Sequence, residues 1–203
     1  MKILTRVILV LLTTGIASMP HATAQQLPSE VMVKKAWDLG LFTGGGVGLG
    51  STSGTRFAFA GGRIGRILTK EHLHGWLRGN FEWAVDLMPL YTVFPPNRAV
   101  YGGGFKPAVW QWNFTSGKRI APYAVVAGAI VFSTANLPPG NTSDVNFAPQ
   151  VGFGVNYLVR RGQAVRFEAA IVHHSNARLG TLNPGYDASL FFTVGYSWYK
   201  TPR

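Results

Sequence analysis

Two stretches of the chain alternate apolar and polar side chains with a period of two residues, the spacing of a β-strand whose faces meet different surroundings. In residues 74–88 the apolar and polar faces are Leu77, Phe81, Trp83, Val85 and Leu87 against His74, Arg78, Asn80, Glu82 and Asp86. In residues 145–159 they are Val145, Phe147, Val151, Phe153, Val155 and Tyr157 against Asn146, Gln150, Gly152, Gly154 and Asn156. The chain is therefore predicted to be built from β-strands.

Eight segments of strand length and character follow one another: 37–50, 55–68, 74–88, 99–113, 119–132, 145–159, 164–175 and 186–199. An even number of strands lets a closed up-and-down barrel keep both ends of the chain on one side. The connections also alternate in length, with short ones at 69–73, 114–118 and 160–163 and longer ones at 89–98, 133–144 and 176–185. Short inner turns and long outer loops are typical of outer-membrane barrels.

The composition favours a barrel whose outer wall faces lipid. Only 13% of the residues are charged, 13% are aromatic and 25 are glycines, and small residues are needed where side chains crowd a narrow lumen. Four aromatic residues are expected to form a girdle at the membrane interface: Trp110, Trp112, Trp198 and Tyr199. The sequence thus predicts an all-β, eight-stranded antiparallel up-and-down transmembrane β-barrel. An exported soluble β-sandwich or lipocalin-like barrel is the alternative, because its core would produce the same alternation.

Residues 1–24 have the features of a secretory signal peptide, and residues 25–203 are predicted to form the barrel domain. Lys2 and Arg6 precede an apolar run, and residues 22–24 (Ala-Thr-Ala) form a small-x-small cleavage site. Without those two cations the chain keeps 17 of its 19 basic residues against 8 acidic ones, a charge of +9. In an exported protein we expect this charge to meet anionic lipid headgroups rather than nucleic acid. The predicted location is the bacterial outer membrane.

The seventh segment contains an anomaly in its alternation. Its odd positions are apolar up to Ile171, and the same phase then places His173 and Ser175 on the lipid-facing row at the outer-leaflet level. A buried polar group without a partner costs about 1–3 kcal/mol, but residues i and i+2 on one strand face are near enough for an imidazole to reach a hydroxyl. His174 points to the other face and is predicted to take no part in chemistry.

The residue types around this pair are those of a serine esterase. A serine hydroxyl becomes nucleophilic when a base takes its proton, and the base works best when a third group orients it. We therefore predict Ser175 as the nucleophile and His173 as the general base. Asp187 is the nearest carboxylate in the sequence and the predicted orienting acid, and Asn176 is predicted to donate an N–H to the oxyanion. The substrate is expected to be an ester in the outer leaflet, and no cofactor is required.

This constellation resembles the PagL-type lipid A 3-O-deacylases of bacterial outer membranes. The resemblance rests on the H-x-S-N core at residues 173–176, the Asn-Pro-Gly turn at residues 183–185 and the acid position at Asp187. It implies an eight-stranded barrel with a Ser-His-acid triad on its outer wall, which removes an ester-linked acyl chain from lipid A or lipopolysaccharide. The chain departs from the family pattern in having Asp187 where Glu is usual and Arg178 where Gly is common. Arg178 is instead expected to contact a lipid A phosphate.

Strand phase leads to three further expectations. The apolar row of the eighth segment includes Tyr186, so Asp187 points into the lumen unless a bulge at the strand start turns it towards His173. Charged residues are expected to form an ion-pair network that fills the lumen: Arg78, Glu82, Asp86, Arg166 and Glu168. Arg98 and Lys106 are placed at the rim, near lipid phosphates.

Metal binding and a purely structural role are two alternatives to catalysis for these residues. The pairs His173–His174 and His72–His74 lack carboxylate or cysteine neighbours at metal-ligand spacing, so no metal site is predicted. A non-catalytic eight-stranded barrel with a structural or adhesive role would have the same strand pattern. The altered acid and the missing glycine favour that alternative.

Overall fold

Eight antiparallel strands close into an up-and-down barrel in the computed structural model, which describes residues 27–202 except the side chain of Asp187. The strands are β1 (Trp37–Gly48), β2 (Arg56–Ile67), β3 (Gly79–Phe94), β4 (Val100–Phe114), β5 (Ile120–Leu137), β6 (Ser143–Arg160), β7 (Gln163–His174) and β8 (Tyr186–Lys200). A short helix, α1 (Pro28–Val31), precedes β1, and 3₁₀ turns lie at Gly50–Thr52 and Gly75–Leu77. The predicted fold class is confirmed. The predicted signal peptide, residues 1–24, lies outside the described residues.

The barrel has a terminal end, where β1 begins and β8 ends, and a loop end, where β7 passes to β8. At the loop end β3, β5 and β6 run further than predicted, to lengths of 16, 18 and 18 residues. About 9–11 residues span a bilayer, so these strands extend beyond it, where the outer face is no longer required to be apolar. The loops there shrink to 95–99 and 138–142. At the terminal end the predicted short turn 69–73 is wrong, because the connection covers residues 68–78.

The outer wall of the barrel is apolar. Large apolar side chains that are more than a third exposed project from the strands, including Leu41, Ile64, Leu87, Leu90, Trp110, Val126, Phe132, Val151, Phe153, Phe167, Ile171, Phe192, Val194 and Trp198. A soluble barrel would bury this face, whereas hydrocarbon covers it in a membrane. Within residues 27–202, no helix is long and apolar enough to cross a bilayer.

Charged side chains fill the lumen nearer the terminal end. Arg63 donates two hydrogen bonds to Asp86, with Nε 2.6 Å from Oδ1 and Nη2 2.9 Å from Oδ2. Arg166 Nη1 lies 3.3 Å from Asp38 Oδ2, and Arg166 Nε donates a hydrogen bond of 3.0 Å to the Tyr123 hydroxyl. A cavity of about 20 Å³ remains among these charges, enough for about one water molecule. The packed lumen agrees with the predicted ion-pair network.

Most residues predicted for this network belong to it. Glu82 is buried and accepts a hydrogen bond of 2.9 Å from Asn113 Nδ2, and Glu168 is also buried. Arg78 is the exception, because it precedes β3 and its Nε lies 3.8 Å from Glu71 Oε2 at the terminal end. Residues 74–78, the start of the third predicted segment, therefore precede β3 and lie outside the barrel wall.

Two residues predicted at the membrane rim lie in the lumen instead. Lys106 is 8% exposed, and its Nζ lies 3.7 Å from Asp86 Oδ2. The register of β4 shifts around Pro107, because proline has no N–H for the ladder, and the shift changes the phase of the strand. Tyr199 is 6% exposed and packs inside the barrel, so it does not belong to the aromatic girdle.

Residues 27–36 form a plug that closes the terminal end of the lumen. Met32 is fully buried, and its carbonyl accepts a hydrogen bond from the side-chain amide of Asn80 on β3. The apolar cluster that the plug shares with the barrel comprises Val31, Met32, Ala36, Ile67, Ala121, Leu158, Ala164 and Tyr199. The segment has no period-two alternation, and the sequence therefore did not predict it.

The lumen nearer the loop end is filled by aromatic rings. The centroids of neighbouring rings lie 5.0 to 6.4 Å apart, and the set comprises Phe57, Phe59, Tyr91, His174, Tyr186 and Phe191. Two glycines of β1, Gly44 and Gly46, lie against the rings of Phe59 and Phe191. Close contact between these rings and the β1 backbone requires the absence of a side chain at both positions.

We expect Gly44→Val to lower the free energy of unfolding by about 1–3 kcal/mol, the usual cost of overpacking. A Cβ on Gly44 would lie 2.5 Å from Phe59 Cζ and 2.5 Å from the Phe192 carbonyl oxygen, so the ring or the strand has to move. Gly128→Val is the control, because nothing lies within 4 Å of a Cβ there. Urea unfolding in detergent, followed by tryptophan fluorescence, measures both variants. Equal stability of the two would contradict the close packing of β1.

Candidate active site

β7 ends at the loop end of the barrel with two adjacent histidines on opposite faces. His173 is exposed on the outer wall, whereas His174 is 3% exposed in the lumen. The preceding residues keep the same phase, since Ile171 is exposed and Val172 is buried. The predicted phase of the seventh strand is therefore confirmed up to its last residue.

His174 holds the end of β7 from inside the barrel. Its Nε2 lies 2.6 Å from the Tyr91 hydroxyl, and its ring stacks on Phe57 with centroids 5.0 Å apart. The Tyr186 ring meets it edge-on at 5.9 Å. A buried ring with a hydrogen bond and several aromatic contacts has one position. The backbone that carries the neighbouring His173 is thereby held in place.

Ser175 follows β7 directly and is bonded to β6. Its N–H donates to the Phe147 carbonyl at 3.0 Å, and its own carbonyl accepts from the Phe147 N–H at 2.7 Å. Residues directly opposite each other in an antiparallel pair share a face, and Phe147 belongs to the outward row of β6. Ser175 is partly exposed and, by this pairing, continues the outward row of His173.

Asn176 organises the turn that follows Ser175. Its backbone N–H donates to Asn183 Oδ1 and its Nδ2 donates to the Leu182 carbonyl, both at 2.9 Å. Its Oδ1 accepts a hydrogen bond of 2.9 Å from the Arg178 N–H. The backbone N–H of Asn176 thus serves the loop. Because a side-chain amide nitrogen carries two hydrogens, Nδ2 has one hydrogen beyond the bond to Leu182, and the residue as a whole is 1% exposed.

The turn itself has left-handed backbone at two non-glycine residues. The φ angles of Ala177 and Arg178 are 48° and 66°, and the Leu179 N–H donates to the Asn176 carbonyl at 2.9 Å across them. This arrangement is that of a type I′ turn, and it costs a non-glycine residue about 1–2 kcal/mol. Arg178 is exposed, and its backbone has the conformation that a glycine adopts most readily.

The register between β7 and β8 shifts where the two strands meet the loop. Val172 pairs with Ser189, and His174 pairs with Tyr186. Two steps along β7 therefore face three steps along β8, which places a bulge at residues 187–188. A bulge of this kind reverses the phase of the strand on either side of it.

The bulge changes the expected direction of the residues at the start of β8. Tyr186 is 4% exposed and lies in the lumen, so its predicted place in the lipid-facing row is wrong. The backbone of Asp187 lies in the bulge, opposite the stretch of β7 that contains His173. The side chain of Asp187 lies outside the described residues.

The β7–β8 loop, residues 175–185, folds back over the end of β7. Gly185 has a φ of 61°, and a Cβ placed on it would lie 3.8 Å from His173 Cε1. The imidazole therefore lies beside the last residue of the loop. The Leu182 N–H donates to the Asn141 carbonyl at 2.9 Å, which fastens the loop to the β5–β6 connection.

The predicted site residues thus meet at one place on the barrel. His173 and Ser175 share the outward row at the end of β7, and Asn176 follows them but is only 1% exposed. The backbone of Asp187 lies on the adjacent strand, and Arg178 is exposed in the turn. A hydroxyl and an imidazole on the same apolar wall are the residue types that nucleophilic acyl transfer requires.

Several supporting residues were missed by the sequence interpretation. Phe147 fixes the Ser175 backbone, and Tyr91 fixes His174 from across the lumen. Neither strand by itself contains a signal for these pairings, because they depend on register. The sequence of residues 183–185 predicts a turn, and only the folded loop shows that Asn183 binds the Asn176 N–H and that Gly185 lies against His173.

Comparison with known proteins gives one family and a shared fold. The family described as "Lipid A 3-O-deacylase (PagL)" matches residues 24–197 of the chain. The crystal structure of the outer membrane enzyme PagL is 18% identical, with a TM-score of 0.50 over 78% of this chain and 98% of that one. The N-terminal β-barrel domain of OprF from Pseudomonas aeruginosa is 15% identical, with a TM-score of 0.52 over 82% and 98% of the two chains. No curated protein sequence matches the chain.

Proposed function

Since this chain belongs to the PagL family of lipid A 3-O-deacylases, we propose that it is a serine esterase that hydrolyses an ester-linked acyl chain of lipid A. The barrel is an outer-membrane barrel with an apolar wall against lipid. The observation that carries the proposal is the outward direction of His173, with Ser175 next along the same wall. A lipid ester in the outer leaflet reaches the barrel from this side.

The reaction proceeds through an acyl-enzyme. Ser175 Oγ attacks the acyl carbonyl carbon while His173 takes the hydroxyl proton, and a tetrahedral oxyanion forms. The bond to the lipid A oxygen then breaks, His173 returns the proton to that oxygen, and the acyl chain remains as an ester on Ser175. A water molecule attacks this ester with His173 again as base. The fatty acid leaves, and the serine hydroxyl is restored.

Three other residues assist in this scheme. Asp187 orients His173 and stabilises the imidazolium, and the bulge at residues 187–188 supports this role because it breaks the inward phase of the strand start. Asn176 donates its second Nδ2 hydrogen to the oxyanion, since its backbone N–H is bound to Asn183. Arg178 binds a lipid A phosphate, and its exposure at the loop end supports this assignment.

The test is mass spectrometry of lipid A from cells that produce either the wild type or Ser175→Ala. We expect lipid A from wild-type cells to lose the mass of one acyl chain, and lipid A from the variant to stay intact. Ser51→Ala is the control, because Ser51 is an exposed serine in a loop at the same end of the barrel. Intact lipid A in all three strains, with each protein folded in the membrane, would reject the esterase and favour a structural or adhesive barrel.

A further inference from the structure

The terminal end of the barrel is strongly basic. Within residues 27–202, the basic side chains at this end are Lys34, Lys35, Arg66, Lys70, Arg78, Lys118, Arg119, Arg160, Arg161 and Lys200. The acidic side chains at the same end are Glu30 and Glu71. The positive and negative charges inside the lumen nearly cancel. Most of the excess positive charge of the described residues is therefore at the terminal end. We call these ten cations the basic ring.

The cations of the basic ring are spread over the whole circumference. They lie in the plug, at the ends of β2, β6 and β8, and in each of the three strand connections at this end. All ten are exposed or half-exposed. A soluble protein partner touches one side of a membrane barrel, whereas lipids surround it. The circular distribution therefore fits lipid headgroups better than a protein.

Aromatic side chains place the basic ring at the level of the headgroups. Trp37 is 42% exposed, and the Arg66 guanidinium lies 4.5 Å from the centroid of its ring. Trp76 and Leu73, in the β2–β3 connection, are 76% and 56% exposed beside Lys70. Tryptophan is enriched where the hydrocarbon meets the headgroups, and basic residues at that depth meet lipid phosphates.

We propose that the basic ring binds the headgroups of anionic glycerophospholipids in the membrane leaflet opposite the lipid A substrate. Each cation near an anionic membrane surface contributes enough attraction for about a five-fold preference for an anionic over a zwitterionic lipid. The cations of neighbouring connections form a continuous binding zone rather than one pocket. This inference is independent of the proposed esterase, because no residue of the ring lies at the loop end.

The six tryptophans of the chain provide the measurement. All lie in the half of the barrel nearer the terminal end: Trp37, Trp76, Trp83, Trp110, Trp112 and Trp198. The full chain is reconstituted in phosphatidylcholine vesicles that contain either brominated phosphatidylglycerol or brominated phosphatidylcholine at the same fraction, and quenching of the tryptophan fluorescence is compared. We expect phosphatidylglycerol to be preferred by about five-fold at low salt, and the preference to shrink at about 1 M salt.

A charge variant and a matched control complete the test. Arg160→Gln with Arg161→Gln, and the four-fold variant that adds Lys118→Gln and Arg119→Gln, are expected to lower the preference stepwise, from about five-fold to about three-fold in the latter, because six of the ten cations remain. The control is Arg56→Gln, which removes an exposed cation from the loop end and is expected to leave the preference unchanged. If the four-fold variant does not fold, the double variant is compared with the control directly.

Two results would overturn the proposal. Equal quenching by both lipids in the wild type would show that the ring does not select headgroups by charge. A lipid preference that is lost in the loop-end control and kept in the ring variants would place the binding zone at the loop end instead of the terminal end. If polyglutamate, added as a model acidic polypeptide, binds the reconstituted protein while the lipid preference is absent, the ring belongs to a protein partner instead.

Discussion

Replacing His173 with alanine is expected to lower the deacylation rate by about 10²–10⁴-fold, the usual contribution of a general base. The change is expected to leave the stability of the barrel nearly unaltered, because His173 is exposed on the outer wall. The measurement is the turnover of purified lipid A in detergent, together with urea unfolding of the same preparation. The serine would keep its position in this variant, since its backbone is bound to Phe147.

The neighbouring His174 provides the control, and its replacement is expected to have the opposite effect. His174→Ala leaves the buried Tyr91 hydroxyl without its partner at 2.6 Å and opens a hole among the aromatic rings. We expect a loss of about 2–4 kcal/mol of stability, and a fall in turnover per folded molecule that is much smaller than the fall in His173→Ala. Loss of turnover in a fully folded His174→Ala protein, combined with an active His173→Ala protein, would reverse the two assignments.

The second large effect is expected inside the lumen. Arg63→Met should lower the free energy of unfolding by about 3–5 kcal/mol, the usual result of removing one partner from a buried ion pair. Arg63 is 7% exposed and is bound to Asp86 through two nitrogens and to Gln111 Oε1 at 3.2 Å. Without it, Asp86 loses both of its hydrogen-bonded nitrogens, and the ion pair that remains to it is the longer one to Lys106, at 3.7 Å.

The same substitution at an exposed ion pair is the matched control for Arg63. The side chains of Arg78 and Glu71 are 42% and 32% exposed, and their charged atoms lie 3.8 Å apart. Arg78→Met is therefore expected to change the stability by less than about 1 kcal/mol. Unfolding in urea, followed by tryptophan fluorescence, compares the two variants. A loss below about 1 kcal/mol for Arg63→Met would mean that the network fills the lumen without stabilising it.

The sequence was sufficient for the fold and for the side of the wall on which His173 lies. Both depend on the period-two alternation, and this alternation is strong in β3, β6 and β7 because an apolar exterior and a charged lumen demand different side chains. Arg166 and Glu168, buried on either side of Phe167, set the phase of β7. The outward direction of His173 then follows by counting.

Other features could not be read from the alternation. The lumen nearer the loop end is lined by aromatic rings, and the outer wall is apolar as well, so a tyrosine at position 186 fits either face. The alternation therefore does not predict the bulge that follows Tyr186. The phase of β4 shifts at Pro107, and Lys106 consequently points into the lumen. A proline in the sequence does not by itself show which face the residues beside it will take. The proposed roles of Ser175 and Asp187 remain predictions, because they depend on side-chain chemistry rather than on the strand pattern.

The plug and the packed lumen also have a consequence for the cell. The plug closes the terminal end of the barrel, ion pairs fill the adjoining part of the lumen, and aromatic rings fill the part nearer the loop end. A protein built in this way offers its outer wall to lipid and no route for solutes through its centre in the described residues 27–202. Many copies can therefore be inserted without weakening the permeability barrier of the outer membrane.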